Sequence, residues 1–177
     1  MADPPVAFAA AWEALAGYPV SIVDQLRDIH LSEGLGTWLL RQHPVAHAVR
    51  SDRALHVFVQ GLKATYLRSA APVRKVCYDA KIQTTRHALG LHTHRVVAQG
   101  SRSIARHEVR IASLFRSCPE AFLRMIVTHE LAHLRHPDHD RAFYQLCTYI
   151  EPDYHRLELQ TRVYLVHLAQ GGAALWD

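Results

Sequence analysis

The first 70 residues carry apolar side chains at the three-to-four-residue period of amphipathic helices. This pattern predicts four helices, at about 6–15, 21–31, 37–42 and 52–67. Ser21 is expected to cap the second helix and Ser51 or Asp52 the fourth, because a short side-chain oxygen can accept a hydrogen bond from an N–H of the first turn. The amino-terminal part of the chain is therefore predicted to be helical.

Beyond Pro72 the hydrophobic period changes to two, which is typical of strands. Alternating apolar and polar positions predict three strands, at about 76–82, 94–99 and 106–111. The polar residues at 100–103 form a turn between the second and third strands, so we expect a small antiparallel three-stranded sheet. Helices followed by strands and again by helices indicate an α+β fold and not a doubly wound sheet.

The helical period returns near Ser117 and predicts three more helices, at about 118–135, 139–150 and 154–170. Ser117 and Glu120 fit a capping box for the first of these helices. Pro137 is expected to break that helix and Asp138 to cap the next. Two glycines should end the last helix and leave residues 173–177 as a loose tail.

The composition is that of a folded globular protein, since 49% of the 177 residues are hydrophobic and 20% are charged. No apolar run approaches the ~20 residues that span a bilayer, and the amino terminus lacks the basic and apolar regions of a signal peptide. Cys77, Cys118 and Cys147 include no CxxC pair, which argues against a disulfide framework and a thiolate zinc site. A cytoplasmic protein without a membrane partner is predicted.

Positive charge is concentrated in the predicted sheet region. From Arg74 to Arg116 there are nine Arg or Lys against two acids, Asp79 and Glu108, a local net charge of 9 − 2 = +7 in a chain of net charge +4. This segment, 74–116, suggests an anionic partner such as nucleic acid or a nucleotide. It also fits a solvated sheet face along which arginine stems pack.

The motif that carries chemistry is HExxH, formed by His129, Glu130 and His133. Residues four apart lie one turn apart on the same helix face, so the two imidazoles can bind one metal ion. Glu130 adjoins the first histidine and can act as general base on metal-activated water. The motif lies in a capped, apolar helix, which favours a metal site over two surface histidines.

A catalytic zinc needs a third protein ligand. His139 follows Pro137, where the chain must leave the helix and can fold back over the site. His136 is too far along the same straight helix to share the metal, and it is expected beside the site. Glu151 or Glu158 is the alternative third ligand. The predicted metal ligands are His129, His133 and His139.

The segment 129–139 (HELAHLRHPDH) is followed by Phe143 and Tyr144 and then by Pro152, Asp153 and Tyr154. These residues resemble the YgjP-like metallopeptidase domain, which belongs with the wider SprT-like and WLM zincins. That family has HELxHL, a histidine after a short polar turn, an aromatic residue four positions on, and a Pro-Asp-Tyr before the last helix. The resemblance covers about residues 75–160.

The resemblance implies a zinc-dependent hydrolase. The helix histidines of the family fall on His129 and His133, its base on Glu130 and its third ligand on His139. It also implies a small antiparallel sheet whose edge strand, about 107–114, runs beside the cleft. The chain is then expected to comprise an amino-terminal helical region packed on or extending the catalytic domain, a zincin-like domain and a tail, at 1–72, 73–172 and 173–177.

Two features depart from related patterns. The family carries a Trp-Gly-Ser-Cys-like segment in its sheet region, whereas residues 89–92 of this chain read Leu-Gly-Leu-His, and the first 70 residues have no recognised match. Metzincins share the HExxHxxxxxH spacing but have Gly in place of His136 and a downstream Met-turn. Because Met1 and Met125 are the only methionines, a metzincin is not expected.

The leading hypothesis is a zinc metallopeptidase that acts on protein or peptide substrates. Tyr144, Tyr154 and His107 are candidate donors to the oxyanion. One alternative is a metal-dependent hydrolase of an anionic small molecule such as a nucleoside triphosphate; another is a DNA-associated protease or binding module, which only the charge supports. His92 and His94 are a weak candidate pair for a second metal.

Overall fold

The computed structural model describes residues 11–82, 90–99 and 102–176, and for residues 91–92, 94–99 and 102–106 it describes the backbone alone. The predicted helix at 6–15 and the turn at 100–103 therefore lie partly outside the described residues, and the side chains of His92 and His94 lie outside them. Within these ranges, none of the helices is long and apolar enough to cross a membrane.

The described residues form six α-helices and three strands. The helices are α1 Val20–Ser32, α2 Leu35–Gln42, α3 Asp52–Tyr66, α4 Glu120–Ala132, α5 Arg141–Ile150 and α6 Tyr154–Ala169. The strands are β1 Val73–Asp79, β2 Gly90–Gln99 and β3 Arg102–Ala112, and two short 3-10 helices span Trp12–Leu15 and Ser113–Arg116. This order confirms the α+β class.

The sheet is mixed and not wholly antiparallel. Its strand order is β1-β3-β2, with β2 antiparallel to β3 as the hairpin predicted, and with β1 parallel to β3. The expectation of an antiparallel sheet is therefore wrong for β1. Alternation along a strand determines which face is buried, but it is the same for parallel and antiparallel partners, so the sequence pattern could not choose between them.

The position of the third strand within the sheet also differs from the expectation. The predicted edge strand, about 107–114, is wrong: β3 is the central strand, and residues from Ser113 onward form a 3-10 helix. The edge strands are β1 and β2. Helix α3 packs on β1, whereas α4 packs against β2 and β3.

Helix starts follow the predicted caps only in part. The Ser51 hydroxyl accepts a hydrogen bond from Ala54 N at 3.2 Å, as predicted. The Ser117 capping box is wrong, because Ser117 ends the preceding 3-10 helix and α4 begins after Pro119. The expected Ser21 and Asp138 caps are wrong as well, since the N-cap positions of α1 and α5 are Pro19 and Asp140.

Helix α4 lies at the centre of the core. Nine of its thirteen residues are buried, among them Thr128 and Glu130. The sheet, α3, α5 and α6 all contact it. A helix covered on so many sides has no wide polar face, so its apolar pattern extends around most of its circumference. The polar residues that remain on it are therefore held in a mostly apolar environment.

The carboxyl-terminal segment is docked onto the helices, so the expectation of a loose tail is wrong. Trp176 is 4% exposed, and its indole N–H donates to His43 O at 2.7 Å. Its ring packs edge-on against Phe122 and Tyr164, with ring centroids 5.7 and 4.9 Å away. Burial of this large apolar ring outweighs the freedom that two preceding glycines give the backbone.

We expect Trp176→Ala to lower the free energy of unfolding by about 3–5 kcal/mol, because it removes a buried aromatic ring and leaves a cavity. Denaturant unfolding measures this change. Leu31→Ala is the matched control, since Leu31 is 82% exposed, and a change within about 0.5 kcal/mol is expected there. Equal, small effects at the two positions would mean that the tail does not pack on the protein.

Candidate active site

Three histidines meet at the end of α4. His129 lies on its last turn, and His133 follows its last residue with φ −63° and ψ −14°, still helical. The chain turns at 133–135, earlier than predicted, and passes Pro137 before His139 returns. One ring nitrogen from each histidine lies within 4.8 Å of the others, and Nε2 of His139 is 3.0 Å from Nε2 of His129.

The other ring nitrogen of each α4 histidine has its own hydrogen-bond partner. Nδ1 of His129 is 2.6 Å from the hydroxyl of Tyr154, and Nδ1 of His133 is 3.1 Å from the carbonyl oxygen of His136. A hydrogen-bond partner at Nδ1 fixes the orientation of each ring, which is the arrangement common around metal-binding histidines that coordinate through the other nitrogen. His136 thus contributes through its backbone.

Phe143 forms a platform beneath the three imidazoles. Its ring centroid lies 4.9, 4.8 and 4.7 Å from those of His129, His133 and His139. Phe143 is fully buried in the first turn of α5, where its backbone N–H donates to the capping carboxylate of Asp140 at 2.8 Å. The helix cap at Asp140 therefore fixes the position of Phe143. The Phe143 ring in turn limits the orientations that the three imidazoles can adopt.

Burial keeps the helix histidines uncharged at neutral pH. It lowers the pKa of His129 to about 3, with further lowering by His133, His139 and Arg162. It also lowers the pKa of His133, to which His139 adds. The uncharged imidazole is the form that binds a metal. Two uncharged imidazoles on this helix end, together with the convergent ring nitrogen of His139, can therefore hold a divalent ion.

The carboxylate of Glu130 lies against the first residue of β2. Glu130 is 4% exposed. A Cβ added to Gly90 would stand 2.6 Å from its Oε1, 3.0 Å from its Cδ and 3.0 Å from the carbonyl oxygen of Arg110. The strand can approach the carboxylate this closely because residue 90 has no side chain. Gly90 therefore packs directly against the carboxylate of Glu130.

The remaining candidates are placed as follows. Tyr154 is fully buried with its hydroxyl on His129, so it orients the imidazole and is not exposed to substrate. Tyr144 is half-buried, with its ring centroid 6.4 Å from that of His139. His107 lies on β3, where it pairs with Val73 of β1. It is four residues, or about 13 Å, along β3 from the residue that pairs with Gly90.

The two alternative carboxylate ligands are engaged by arginines instead. Glu151 accepts a hydrogen bond from Arg124 Nε at 2.7 Å. Glu158 accepts from Arg162 Nη2 at 2.8 Å. Among the described residues, the only group of three that could hold a metal consists of the histidines.

Part of the basic segment is neutralised within the sheet. The carboxylate of Glu108 forms ion pairs with Lys75 at 2.6 Å and with Arg110 at 3.1 Å. Asp79 accepts a second bond from Arg110 at 3.1 Å. These contacts agree with a solvated sheet face for this part of the segment.

Comparison with known proteins identifies the family. A model of the YgjP-like metallopeptidase domain matches residues 79–162, the span that includes β2, β3, α4, α5 and the three histidines. The chain is also 46% identical over 157 residues to a UTP pyrophosphatase of Escherichia coli (strain K12), a match that covers 89% of this chain and 94% of that protein. No solved structure matches significantly.

These observations define the class of protein as a metal-dependent hydrolase enzyme. The chain belongs to the YgjP-like metallopeptidase family. The sequence motif had indicated both the class and the family. It had not indicated the roles of Phe143, Gly90 and Tyr154, although the family pattern includes the aromatic residue and the tyrosine, and the Leu-Gly-Leu-His stretch contains the glycine.

We expect Gly90→Ala to destabilise the protein by about 1–3 kcal/mol, because the added methyl overlaps the Glu130 carboxylate and overpacks a buried contact. The measurement is denaturant unfolding of the metal-free protein. Gly61→Ala is the matched control, because Gly61 is an exposed residue of helix α3 with no atom within 4 Å of an added Cβ. That change should stabilise the protein by about 0.5–1 kcal/mol.

The double variant Gly90→Ala/Glu130→Ala identifies the contact. Removing the carboxylate should abolish most of the Gly90→Ala penalty, because two of the three close atoms belong to Glu130. An unchanged penalty in the Glu130→Ala background would contradict the proposed contact.

Proposed function

We propose that this enzyme is a zinc-dependent nucleoside-triphosphate pyrophosphatase that hydrolyses UTP to UMP and pyrophosphate. The observation that carries this proposal is the 46% identity to a UTP pyrophosphatase over nearly the whole of both chains. The match extends well beyond the 84 residues of the family model, so it includes elements outside the metal site. Substrate contacts commonly come from such elements.

We assign His129, His133 and His139 as the zinc ligands. The convergence of their ring nitrogens within 4.8 Å supports this assignment, as do the partners that hold Nδ1 of His129 and of His133. Zinc is the natural occupant of a site with three imidazoles and an open position. When bound, it supplies positive charge that makes water more acidic and stabilises charge on the substrate.

Glu130 is assigned as the general base. It follows His129 directly in the sequence. Its carboxylate lies between α4 and β2, where the absence of a side chain at Gly90 allows the strand to approach it closely. Its role is to take a proton from the attacking water while the water oxygen bonds to the α-phosphorus and the bond from that phosphorus to the oxygen bridging the α- and β-phosphates breaks. The bonding electrons leave with the pyrophosphate, and the proton passes from Glu130 to solvent.

Peptide hydrolysis is the second candidate, and the family's description as a metallopeptidase domain favours it. The same three ligands and the same carboxylate would serve an amide substrate, because both reactions need an activated water and a proton acceptor. The two candidates differ in substrate binding and not in the metal site. They are separated by offering the zinc-loaded enzyme UTP and an unstructured protein such as casein.

We expect the wild-type enzyme to release pyrophosphate from UTP. Glu130→Gln should lower kcat by about 100-fold or more, because the amide cannot accept the proton, while the metal content stays unchanged. Coupled pyrophosphate detection and elemental analysis of the same samples measure the two quantities. The exposed carboxylate variant Glu120→Gln serves as control and should behave as wild type.

Casein cleavage that depends on Glu130, without pyrophosphate release from UTP, would contradict the pyrophosphatase proposal and support the peptidase. Full activity of Glu130→Gln on UTP would contradict the role of the carboxylate.

A further inference from the structure

A cavity of about 350 Å³ lies next to the histidine cluster, between the amino-terminal segment and two carboxyl-terminal helices. It is lined by residues 16–18, by Tyr144 of α5 and by His155, Glu158 and Arg162 of α6. Its volume is within the range of pockets that hold small ligands, about 300–1,000 Å³.

Tyr144 is shared between the cavity and the metal site. Its ring centroid is 6.4 Å from that of His139 and 5.5 Å from that of His155. A ligand in the cavity would therefore lie directly beside a group held at the histidines. A molecule with one end at the histidines and another in the cavity would contact Tyr144 along its length.

The cavity has both aromatic and hydrogen-bonding walls. Tyr18, Tyr144 and His155 offer ring faces or edges to a planar ligand. Glu158 and Arg162 form an ion pair, with side chains 17% and 19% exposed, in which Nε and Nη2 of the arginine both donate to Oε1 of the glutamate. Nη1 of Arg162 donates to the carbonyl oxygen of Ala14 at 3.4 Å. The pair offers guanidinium donors and carboxylate acceptors side by side.

The charges of the cavity favour a neutral ligand over a phosphate. Arg162 is compensated by Glu158, whose carboxylate would repel a phosphate oxygen. Burial and Glu158 raise the pKa of Tyr18 to about 12, so its hydroxyl remains protonated at neutral pH and can donate. A uracil ring has two carbonyl acceptors and one N–H donor, which complement this mixed set of groups.

We propose that this cavity binds the nucleobase of the substrate, with the base stacked against Tyr144 and its polar edge directed to Glu158 and Arg162. The inference rests on the proposed function, and it assigns the cavity as the subsite for the uracil of UTP. Residues 16–18 also line the cavity, so the inference assigns them a part in substrate recognition. These residues precede the span that the family model matches.

The test uses the full chain, loaded with zinc, and four variants. Tyr144→Ala removes the stacking ring, Tyr144→Phe keeps it, and Tyr149→Ala is the matched control on the same helix, since Tyr149 is 70% exposed. His155→Ala changes a second wall, at a residue whose described ring contacts are with Tyr144 and Tyr154 and not with the three histidines. Dissociation constants for UMP are measured by calorimetry, and KM and kcat are measured for UTP.

Tyr144→Ala should weaken UMP binding and raise KM for UTP by about tenfold or more, the size expected for a lost base–aromatic stack, while kcat changes by less than about threefold. Tyr144→Phe should retain most of the affinity, His155→Ala should weaken UMP binding, and Tyr149→Ala should match wild type. Metal content should be the same in all variants.

The inference would be overturned if UMP failed to bind the wild type at millimolar concentration, or if neither Tyr144→Ala nor His155→Ala weakened its binding. UMP binding needs no turnover, so this result is separate from the proposed function. Wild-type enzyme that binds UMP at Tyr144 but releases no pyrophosphate from UTP would contradict the proposed reaction and leave the subsite supported.

Discussion

The convergence of three imidazoles at the end of a buried helix is the constraint on which the rest of the structure depends. Helix α4 is covered by the sheet and by three helices, and burial holds its two histidines uncharged. Each of these rings is then fixed by a hydrogen bond at Nδ1, one with the hydroxyl of Tyr154 and one with the backbone carbonyl oxygen of His136. Phe143 closes the cluster from beneath.

Each element around α4 contributes a different part of the site. The turn after α4 ends the helix at Ala132, which lets His139 fold back. Helix α5 supplies the aromatic platform, and α6 supplies Tyr154 at its start and the ion pair of the neighbouring cavity further along. Strand β2 approaches Glu130 through Gly90. The proposed reaction therefore needs the edge strand β2 and the last two helices, α5 and α6. This agrees with the similarity to the UTP pyrophosphatase, which extends over nearly the whole chain.

The sequence predicted the α+β class, most helices and the histidine cluster because each depends on local spacing. Residues four apart on a helix must share a face, and alternation must produce strands. It did not predict the parallel pairing of β1 with β3, since alternation contains no information about the partner strand. It also missed the docking of Trp176 and the contact of Gly90 with Glu130. Both depend on residues far apart in the chain, which no local pattern connects.

The most direct test of the proposed site is the zinc content of the purified protein, measured by elemental analysis for the wild type, His139→Ala and His136→Ala. His136 is the matched control, because its contact with His133 is made by its carbonyl oxygen and survives the substitution. The account predicts about one zinc per chain in the wild type and in His136→Ala, and loss or strong weakening in His139→Ala. No bound metal after zinc loading, or loss in His136→Ala with retention in His139→Ala, would contradict the three-histidine site.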